Sequence, residues 1–205
     1  FYRIIEEERV TGLFLSPTLV RMLMKYGADV ARRFDLGALE RVFCAGELLN
    51  PPAWSWLAEE VLEGKVPVLD HWWQTETGGP GIGDPYGLGM MVRVVDAEGN
   101  PLPPGESGTL GIVQPFPTLT ARLWGEPERY VREYWQRTPG VYHAGDAAHI
   151  DEDGYVWFAG RADEVLKVAG HRLGTVEVES ALLTHPAVAE AGVVGKPDPV
   201  RGEVI

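Results

Sequence analysis

The first 80 residues alternate short apolar runs with segments of helical periodicity, and this alternation restricts the fold more than any other feature. Ser16 and Pro17 supply a helix cap and a first-turn proline, and Asn50 and Pro51 open a second helical segment in the same way. Strand, helix, strand, helix, strand is the pattern of an α/β layer with a mostly parallel sheet. The predicted strands are residues 10–15, 42–45 and 66–69.

The second helical segment carries Trp54, Leu57 and Val61 at helix spacing, which predicts that these three side chains share one buried face. From Gly78 onward glycines and prolines become frequent, and the pattern changes to that of antiparallel strands. We expect a small β-rich subdomain attached to the α/β layer. Its predicted strands are residues 90–95, 107–113, 141–145 and 155–160, with a helix that carries Trp124, Tyr130 and Tyr134.

The pattern changes again after residue 160. A predicted strand at 165–168 leads into a turn at Gly170, His171 and Arg172, and Thr175 is positioned to cap a helix that ends before Pro186. A further strand is predicted at 188–194. This run of strand, helix and strand indicates a second domain. The fold class is therefore α/β, with the domain boundary placed between residues 162 and 163.

Composition and charge narrow the function classes. The chain has 205 residues, 45% of them hydrophobic, and a formal net charge of −12. This charge argues against nucleic acid or an anionic membrane as partner, since both require a basic face. The single Cys44 excludes an internal disulfide and fits a reducing cytoplasm. The chain begins at Phe1 and stops within a pattern, so we expect it to be a fragment of a longer protein.

The segment DHWWQTETGG, residues 70–79, follows directly after the third apolar run. It joins two adjacent indoles to hydroxyls, carboxylates, a carboxamide and a glycine pair. In parallel sheets ligands bind beyond the carboxyl ends of the strands, which is where this segment falls. A planar base, a phosphate and its metal ion would use all of these groups, so the segment predicts a nucleotide site.

Four segments, in this order and at these separations, resemble the adenylate-forming acyl-CoA synthetases, and among them the enzymes that act on acetate. They are AGELLNP (45–51), DHWWQTETGG (70–79), YHAGDAAHIDEDGYVWFAGR (142–161) and RADEVLKVAGHRLGTVEVESAL (161–182). The resemblance covers nearly the whole chain. It implies that residues 1–162 are the C-terminal portion of the large AMP-binding domain. Residues 163–205 are then the hinge and the start of a small α+β C-terminal domain.

The resemblance and the local chemistry together give ATP-binding residues. Trp72 offers a π face for stacking on adenine, and Gly46 and Glu47 are expected to line the purine edge through their backbone. Thr75 can bond a phosphate oxygen, and Glu76 can hold Mg²⁺, which prefers carboxylate and phosphate oxygens. The other residues that the resemblance assigns to ATP are Asp70, His71, Gln74, Asp146, Arg161 and Arg172.

Later segments complete the expected site. Asp146 is expected to accept both ribose hydroxyls, with Arg161 on the other side of the ribose. Arg172 is expected to reach the phosphate and, with Thr75 and Glu76, to form the catalytic group. By resemblance, Asp163 is the hinge about which the small domain turns, and Ala169 and Gly170 flank the pantetheine of CoA.

Trp73 is expected to set the size of the acid. Relatives that act on longer acids usually carry glycine at the matching place, so an indole there leaves room for about a methyl or an ethyl group. That favours acetate, with propionate as the near competitor. The chain departs from the acetate-type pattern at Leu48, Leu49, His71 and Lys167, which leaves the acid open.

The predicted reaction is ATP-dependent activation of acetate as acetyl-AMP, followed by transfer of the acetyl group to CoA. The partners are thus small molecules, while the oligomeric state stays open. By resemblance, a phosphate loop should precede Phe1 and a catalytic lysine should follow Ile205, so we expect these 205 residues to be inactive alone. Two alternatives remain: a synthetase for propionate or another acid, and a nucleotide-binding module without catalysis.

Overall fold

A computed structural model of the chain describes residues 1–83, 91–163, 165–168, 171–185, 187–188, 191–198 and 202–205. The chain divides into two compact units. The first comprises Phe1–Leu88 and Leu183–Ala189, and the second comprises Gly89–Leu182 and Glu190–Ile205. None of the helices in the described residues is long and apolar enough to cross a membrane. The domain boundary at 162/163 stays a prediction.

The first unit is built on a sheet whose strands are parallel, as the sequence predicts. The structure gives their order as β1-β2-β3. Its strands are β1 (Gly12–Leu15), β2 (Arg41–Ala45) and β3 (Val68–His71). Its helices are α1 (Tyr2–Glu7), α2 (Pro17–Met24), α3 (Ala28–Ala31) and α4 (Pro51–Ser55), and a π-helical stretch (Trp56–Val61) continues α4.

The two predicted helix starts in this unit are confirmed. Ser16 Oγ accepts a hydrogen bond from the Leu19 N–H at 3.2 Å, and Asn50 Oδ1 accepts one from the Ala53 N–H at 3.2 Å. In both cases proline occupies the first helical position, where its missing N–H costs no hydrogen bond. These caps fix the points at which the chain leaves the sheet edge and turns into a helix.

The predicted shared face of Trp54, Leu57 and Val61 is only partly right. Leu57 and Val61 are buried, but Trp54 is 40% exposed. The physical reason is the π-helical stretch that begins at Trp56, because its wider turns rotate Leu57 and Val61 away from the direction of Trp54. Trp54 instead donates its indole N–H to the Val68 carbonyl at 3.2 Å, which ties α4 to β3.

The core of the first unit lies between this sheet and its helices. Burial raises the pKa of the Cys44 thiol to about 12, with a further contribution from the charge of Asp70, so Cys44 is a small buried residue rather than a nucleophile. The most completely buried members of this core are Val20, Ala31, Val42, Cys44 and Ala53, each at 0% exposure.

In its described residues the second unit contains two four-stranded sheets. One is an antiparallel meander in the order β4-β5-β6-β7, and the other has the order β10-β11-β8-β9. The strands of the meander are β4 (Val92–Val95), β5 (Gly108–Ile112), β6 (Tyr142–Ile150) and β7 (Val156–Arg161), with helix α5 (Pro127–Tyr134). The other sheet contains β8 (Leu166–Val168), β9 (His171–Leu173), β10 (Lys196–Asp198) and β11 (Gly202–Val204), and helix α6 (Thr175–Leu183) follows β9.

Three predictions for the second half of the chain need correction. His171 and Arg172 belong to β9 rather than to a turn, because they pair with β8. Trp124 lies outside α5 and is 94% exposed. The strand predicted at 188–194 is absent from its described residues; Val193 N–H donates to the Glu179 side chain at 2.9 Å instead of joining a ladder.

Candidate functional site

The carboxyl ends of β2 and β3 lie side by side. Ala45, the last residue of β2, pairs with His71, the last residue of β3. Gly46 and Glu47 therefore leave the sheet next to the point where Trp72 leaves it. Gly46 has a φ of +98°, a conformation that glycine adopts without the strain of a Cβ. The structure thus brings the two unit-1 motifs to one edge of the sheet.

The motif after β3 forms a closed loop. Trp72 N–H donates to the Ile82 carbonyl at 2.9 Å, and Gly81 N–H donates to the Trp72 carbonyl at 3.0 Å, so the two ends of the loop are joined. A short 3-10 helix, Thr75–Thr77, lies within it, with Gln74 as its N-cap residue. Sequence reasoning located the motif but did not foresee this closure, which depends on pairing across ten residues.

Thr77 holds the loop from inside, and the sequence analysis missed it. Its side chain is 0% exposed. Its hydroxyl accepts a hydrogen bond from the Gln74 N–H at 2.9 Å and lies 2.8 Å from the Gln74 carbonyl and 2.9 Å from the Gly79 carbonyl. The signal in the sequence is the spacing in QTET: Thr77 lies three residues after Gln74, which is the spacing of a capping box.

The remaining polar and aromatic groups of the loop differ in exposure. Trp73 is 42% exposed, while Trp72 is half-buried. Thr75 is exposed and Glu76 is half-buried. An exposed hydroxyl beside a half-buried carboxylate on a short helical turn offers both a donor to a phosphate oxygen and a ligand to a cation.

Asp70 and His71, the last two residues of β3, have opposite environments. Asp70 is an exposed residue, yet desolvation by the surrounding protein raises the pKa of its carboxyl to about 6, against a weaker lowering effect from the backbone N–H of His71. His71 is 5% exposed and stacks on Phe43 with the ring centroids 4.9 Å apart. Burial lowers the pKa of His71, so it is neutral at pH 7.

Among the described residues, neither ring nitrogen of His71 has a hydrogen-bond partner. Gly83 explains how the imidazole fits, because a Cβ at Gly83 would lie 1.8 Å from His71 Cδ2. The buried ring therefore packs as a flat aromatic group against the backbone that closes the loop. Its assignment to ATP binding stays a prediction, and the structure gives its side chain a packing contact with Phe43.

Glu47 is held by helix α2. Its carboxylate accepts a hydrogen bond from the Thr18 hydroxyl at 2.6 Å and forms an ion pair with Arg21 at 2.6 Å. The sequence analysis assigned no function to Thr18 or Arg21. The available signal is their spacing of three residues on α2, which places both side chains on one helix face.

The second unit contains the other group of predicted residues. Asp146 on β6 pairs in register with Arg161 on β7, and Arg161 Nη1 lies 3.4 Å from Asp146 Oδ1. The Asp146 side chain is only 13% exposed. Gly145 has a φ of +78°, and a Cβ there would lie 2.7 Å from Arg161 Nη2. Glycine at this position is therefore what lets the guanidinium lie against the β6 backbone.

Arg161 also contacts the predicted hinge. Its Nε lies 3.2 Å from Asp163 Oδ1, and the Asp163 side chain is 73% exposed. Arg172 lies on β9, where it pairs with Lys167, and its side chain is outside the described part of the chain. Ala169 and Gly170 lie outside the described residues. The structure thus gives two groups of predicted residues, one in each unit.

Metal binding by protein ligands alone is not supported in the described ranges. Among the described residues, no group of three or more His, Cys, Asp or Glu side chains could hold a metal ion. Mg²⁺ is ordinarily bound by one or two carboxylates together with substrate phosphates, for which a single glutamate in the loop is sufficient.

Comparison with protein families adds independent information. The family described as "AMP-binding enzyme" matches residues 1–120, and the family described as "AMP-binding enzyme C-terminal domain" matches residues 177–205. The first match covers more than half of the chain and includes both motifs of the first unit.

Three curated relatives illustrate the sequence similarity. Acetyl-coenzyme A synthetase of Pyrobaculum aerophilum is 48% identical over 219 residues, which cover 100% of this chain and 33% of the relative. The proteins of the same name from Nitrosomonas europaea and Methanothrix soehngenii are 44% and 42% identical, with 100% of this chain covered and 34% and 33% of the relatives. The chain therefore spans about a third of the length of these relatives.

A solved structure agrees with the fold. The crystal structure of the anthranilate CoA ligase AuaEII in complex with anthranoyl-AMP matches with a TM-score of 0.84 at 30% sequence identity. The match covers 98% of this chain and 39% of that protein. The family match, the whole-chain sequence similarity and the shared fold lead to one conclusion: this chain belongs to the AMP-binding enzyme family.

Proposed function

We propose that the chain contributes to an ATP-dependent ligase that joins acetate to CoA. In the first step an acetate oxygen attacks the α-phosphorus of ATP, which gives acetyl-AMP and releases pyrophosphate. In the second step the CoA thiolate attacks the acetyl carbonyl and AMP leaves. The atoms balance, and neither step requires a covalent bond to the protein. The protein's contribution is therefore to position the reactants and to neutralise charge.

The observation that carries this proposal is the convergence of the AGE and DHWWQTETGG segments on one edge of a parallel sheet, through the pairing of Ala45 with His71. Such an edge is where α/β proteins bind nucleotides. Whole-chain identity of 41–48% to proteins named acetyl-coenzyme A synthetase supports the choice of reaction.

In the first unit, we assign the base and the phosphate to different parts of the loop. The half-buried Trp72 provides a stacking face for adenine, and the backbone of Gly46 and Glu47 provides polar groups for the purine edge. The exposed Thr75 hydroxyl is assigned to a phosphate oxygen. Asp70 and Gln74, which lie on either side of the two tryptophans in the sequence, are also assigned to ATP.

Glu76 is the residue that would hold Mg²⁺ in this proposal. One carboxylate fits Mg²⁺, because the ion completes its coordination with water and substrate phosphate oxygens. When bound, the ion neutralises phosphate charge. The protein's own part is to keep the Glu76 carboxylate on a short helix whose geometry Thr77 fixes.

In the second unit, we assign the ribose to Asp146 and Arg161. A carboxylate accepts hydrogen bonds from two neighbouring hydroxyls, and the ion pair with Arg161 at 3.4 Å keeps it oriented. Asp163 is proposed as the hinge residue between residues 1–162 and 163–205. Arg172 is proposed to contact the phosphate, and Ala169 and Gly170 the pantetheine of CoA.

Trp73 is proposed to limit the acid to acetate or propionate. An indole contributes a large rigid volume, and adding methylene groups against it costs about 1–3 kcal/mol. The same range bounds the discrimination between two acids that differ by one methylene, so propionate is the nearest competing substrate.

The proposed function is tested with the protein produced from the complete coding sequence that contains these 205 residues, called the full-length protein below. Incubation with acetate, ATP and CoA should give acetyl-CoA, AMP and pyrophosphate in equal amounts. Formation of ADP and phosphate instead of AMP and pyrophosphate would contradict the proposal. If the protein preferred another carboxylic acid, the proposed adenylation would stand but acetate would be rejected as the substrate.

A further inference from the structure

A closed set of hydrogen bonds joins helix α2 to the segment that follows β2. Thr18 Oγ1 donates to the Glu47 carboxylate at 2.6 Å, and Arg21 Nη2 donates to Glu47 Oε2 at 2.6 Å. Arg21 Nη2 also donates to Thr18 Oγ1 at 2.8 Å, so each of the three side chains contacts the other two. Thr18, Arg21 and Glu47 are called the α2 clamp below.

The helix side of the α2 clamp is rigid. Pro17 and Val20, the neighbours of the two clamp residues on α2, are fully buried in the core of the first unit. Ser16 caps the same helix. The Arg21 side chain is only 18% exposed. Arginine is rarely buried to this extent unless it has a charged partner, which here is Glu47. The clamp therefore fixes the Glu47 side chain relative to a helix that is packed in the core.

The charges of the α2 clamp favour its closed form. Partial burial alone would raise the pKa of Glu47, but the hydrogen bonds from Thr18 and Arg21 and the charge of Arg21 together lower it below the usual range. Glu47 is thus ionised at neutral pH. Its hydrogen bonds are charge-assisted, which makes them shorter and stronger than those between neutral groups.

Holding Glu47 also fixes Gly46, because the two residues form a bend directly after the end of β2. A Cβ at Gly46 would meet no atom of the described residues within 4 Å, so in that part of the chain the space beside this backbone is open. The Glu47 carboxylate is engaged with α2, which leaves the backbone of this bend as the group that a purine can contact.

We propose that Thr18 and Arg21 are positioning residues that hold the Gly46–Glu47 backbone against the purine edge and so contribute to the choice of base. The inference rests on the proposed function. Without the clamp the bend is free to move, so contacts to the exocyclic group of the purine weaken while the acetate site is unchanged.

The test compares ATP with ITP, whose base carries a carbonyl oxygen where adenine carries an amino group. In the full-length protein, Arg21→Met should lower the ratio of kcat/KM for ATP to that for ITP by about tenfold, the loss expected for one hydrogen bond of about 1.4 kcal/mol. The KM for acetate should not change. Arg21→Lys should restore part of the ratio, because one arginine nitrogen makes both contacts of the clamp.

Arg32→Met is the matched control. Arg32 forms an ion pair with Asp29 at the same 2.6 Å, but both side chains are exposed. This variant should keep the wild-type ATP to ITP ratio. If Arg21→Met does not fold, Thr18→Val, which keeps the shape and loses the hydroxyl, should lower the same ratio.

The inference is overturned if the folded Arg21→Met or Thr18→Val protein has a lower Tm but the wild-type ATP to ITP ratio, since the clamp would then have only a structural role. Failure of the proposed function is a separate result. It would be seen in the wild-type full-length protein as no acetyl-CoA formation with any nucleotide, and it would remove the basis of the inference as well.

Discussion

Asp146 and Arg161 face each other across the β6–β7 pair, with Arg161 Nη1 3.4 Å from Asp146 Oδ1. The same guanidinium lies 3.2 Å from Asp163 Oδ1 through its Nε. One arginine therefore contacts both the carboxylate assigned to the ribose and the residue assigned to the hinge.

The ribose assignment predicts the effect of Asp146→Asn in the full-length protein. The amide keeps the shape but loses the charge and one acceptor, at a cost of about 1.5–3 kcal/mol for a hydrogen bond to a charged group. The KM for ATP should rise by roughly 10- to 150-fold, with the KM for acetate unchanged. Steady-state kinetics with each substrate varied in turn measures this. Glu152→Gln, an exposed change in the turn that joins β6 to β7, is the control.

Thr77 is predicted to stabilise the loop through its hydroxyl rather than its bulk. Thr77→Val removes the hydroxyl that accepts from the part-buried Gln74 N–H, which should cost about 1–3 kcal/mol. Thr77→Ser keeps the hydroxyl and should cost less. Thermal unfolding of the two variants gives the comparison. Equal Tm values for both would contradict the role assigned to the hydroxyl.

Asp70 predicts a pH dependence of stability. Its pKa is raised to about 6 in the folded protein, and an ordinary aspartate in the unfolded chain titrates near ~3.9. Between these values the folded state binds the proton more tightly, so stability falls as the pH rises from about 4 to about 6. Asp70→Asn should remove this slope. Tm measured from pH 4 to 7 tests the sign, and a slope unchanged in the variant would reject it.

Trp73→Gly tests the size limit on the acid. Removing the indole should relieve about 1–3 kcal/mol of overpacking against longer acids, which corresponds to about a 5- to 150-fold gain in kcat/KM for an acid such as hexanoate. Acetate should lose efficiency. Trp124→Gly, at a tryptophan that is 94% exposed, controls for the loss of an indole elsewhere. No gain with any longer acid would remove Trp73 from the acid pocket.

Much of the fold in the first unit follows from local signals. Ser16 and Asn50 cap helices where the sequence predicts them, and the apolar runs before Trp72 pair as parallel strands. The caps depend on neighbouring residues alone, and the alternation of apolar runs with helical segments favours parallel pairing, which is why the pattern is sufficient here. Trp54 shows the limit, because a π-helical turn that no local periodicity announces rotates it away from Leu57.

The site itself required contacts between distant residues. Arg21 reaches Glu47 across 26 residues, and the Trp72 backbone pairs with Ile82. Neither relationship has a periodicity that could be found by inspection of the sequence. In the second half, Val193 lies in an apolar segment that is typical of a strand, but its N–H donates a hydrogen bond to the Glu179 side chain. Every backbone N–H needs a hydrogen-bond acceptor, but the residue types in a segment do not say which acceptor it will find.

Acetate-dependent exchange of labelled pyrophosphate into ATP, measured in the absence of CoA, tests adenylation most directly. The full-length protein should catalyse this exchange, because acetyl-AMP formation is reversible and does not require the thiol. The 205-residue chain alone should not. The proposed function would be contradicted if the full-length protein catalysed no exchange with acetate, or catalysed it equally with and without acetate. Exchange by the 205 residues alone would contradict the expectation that they are inactive.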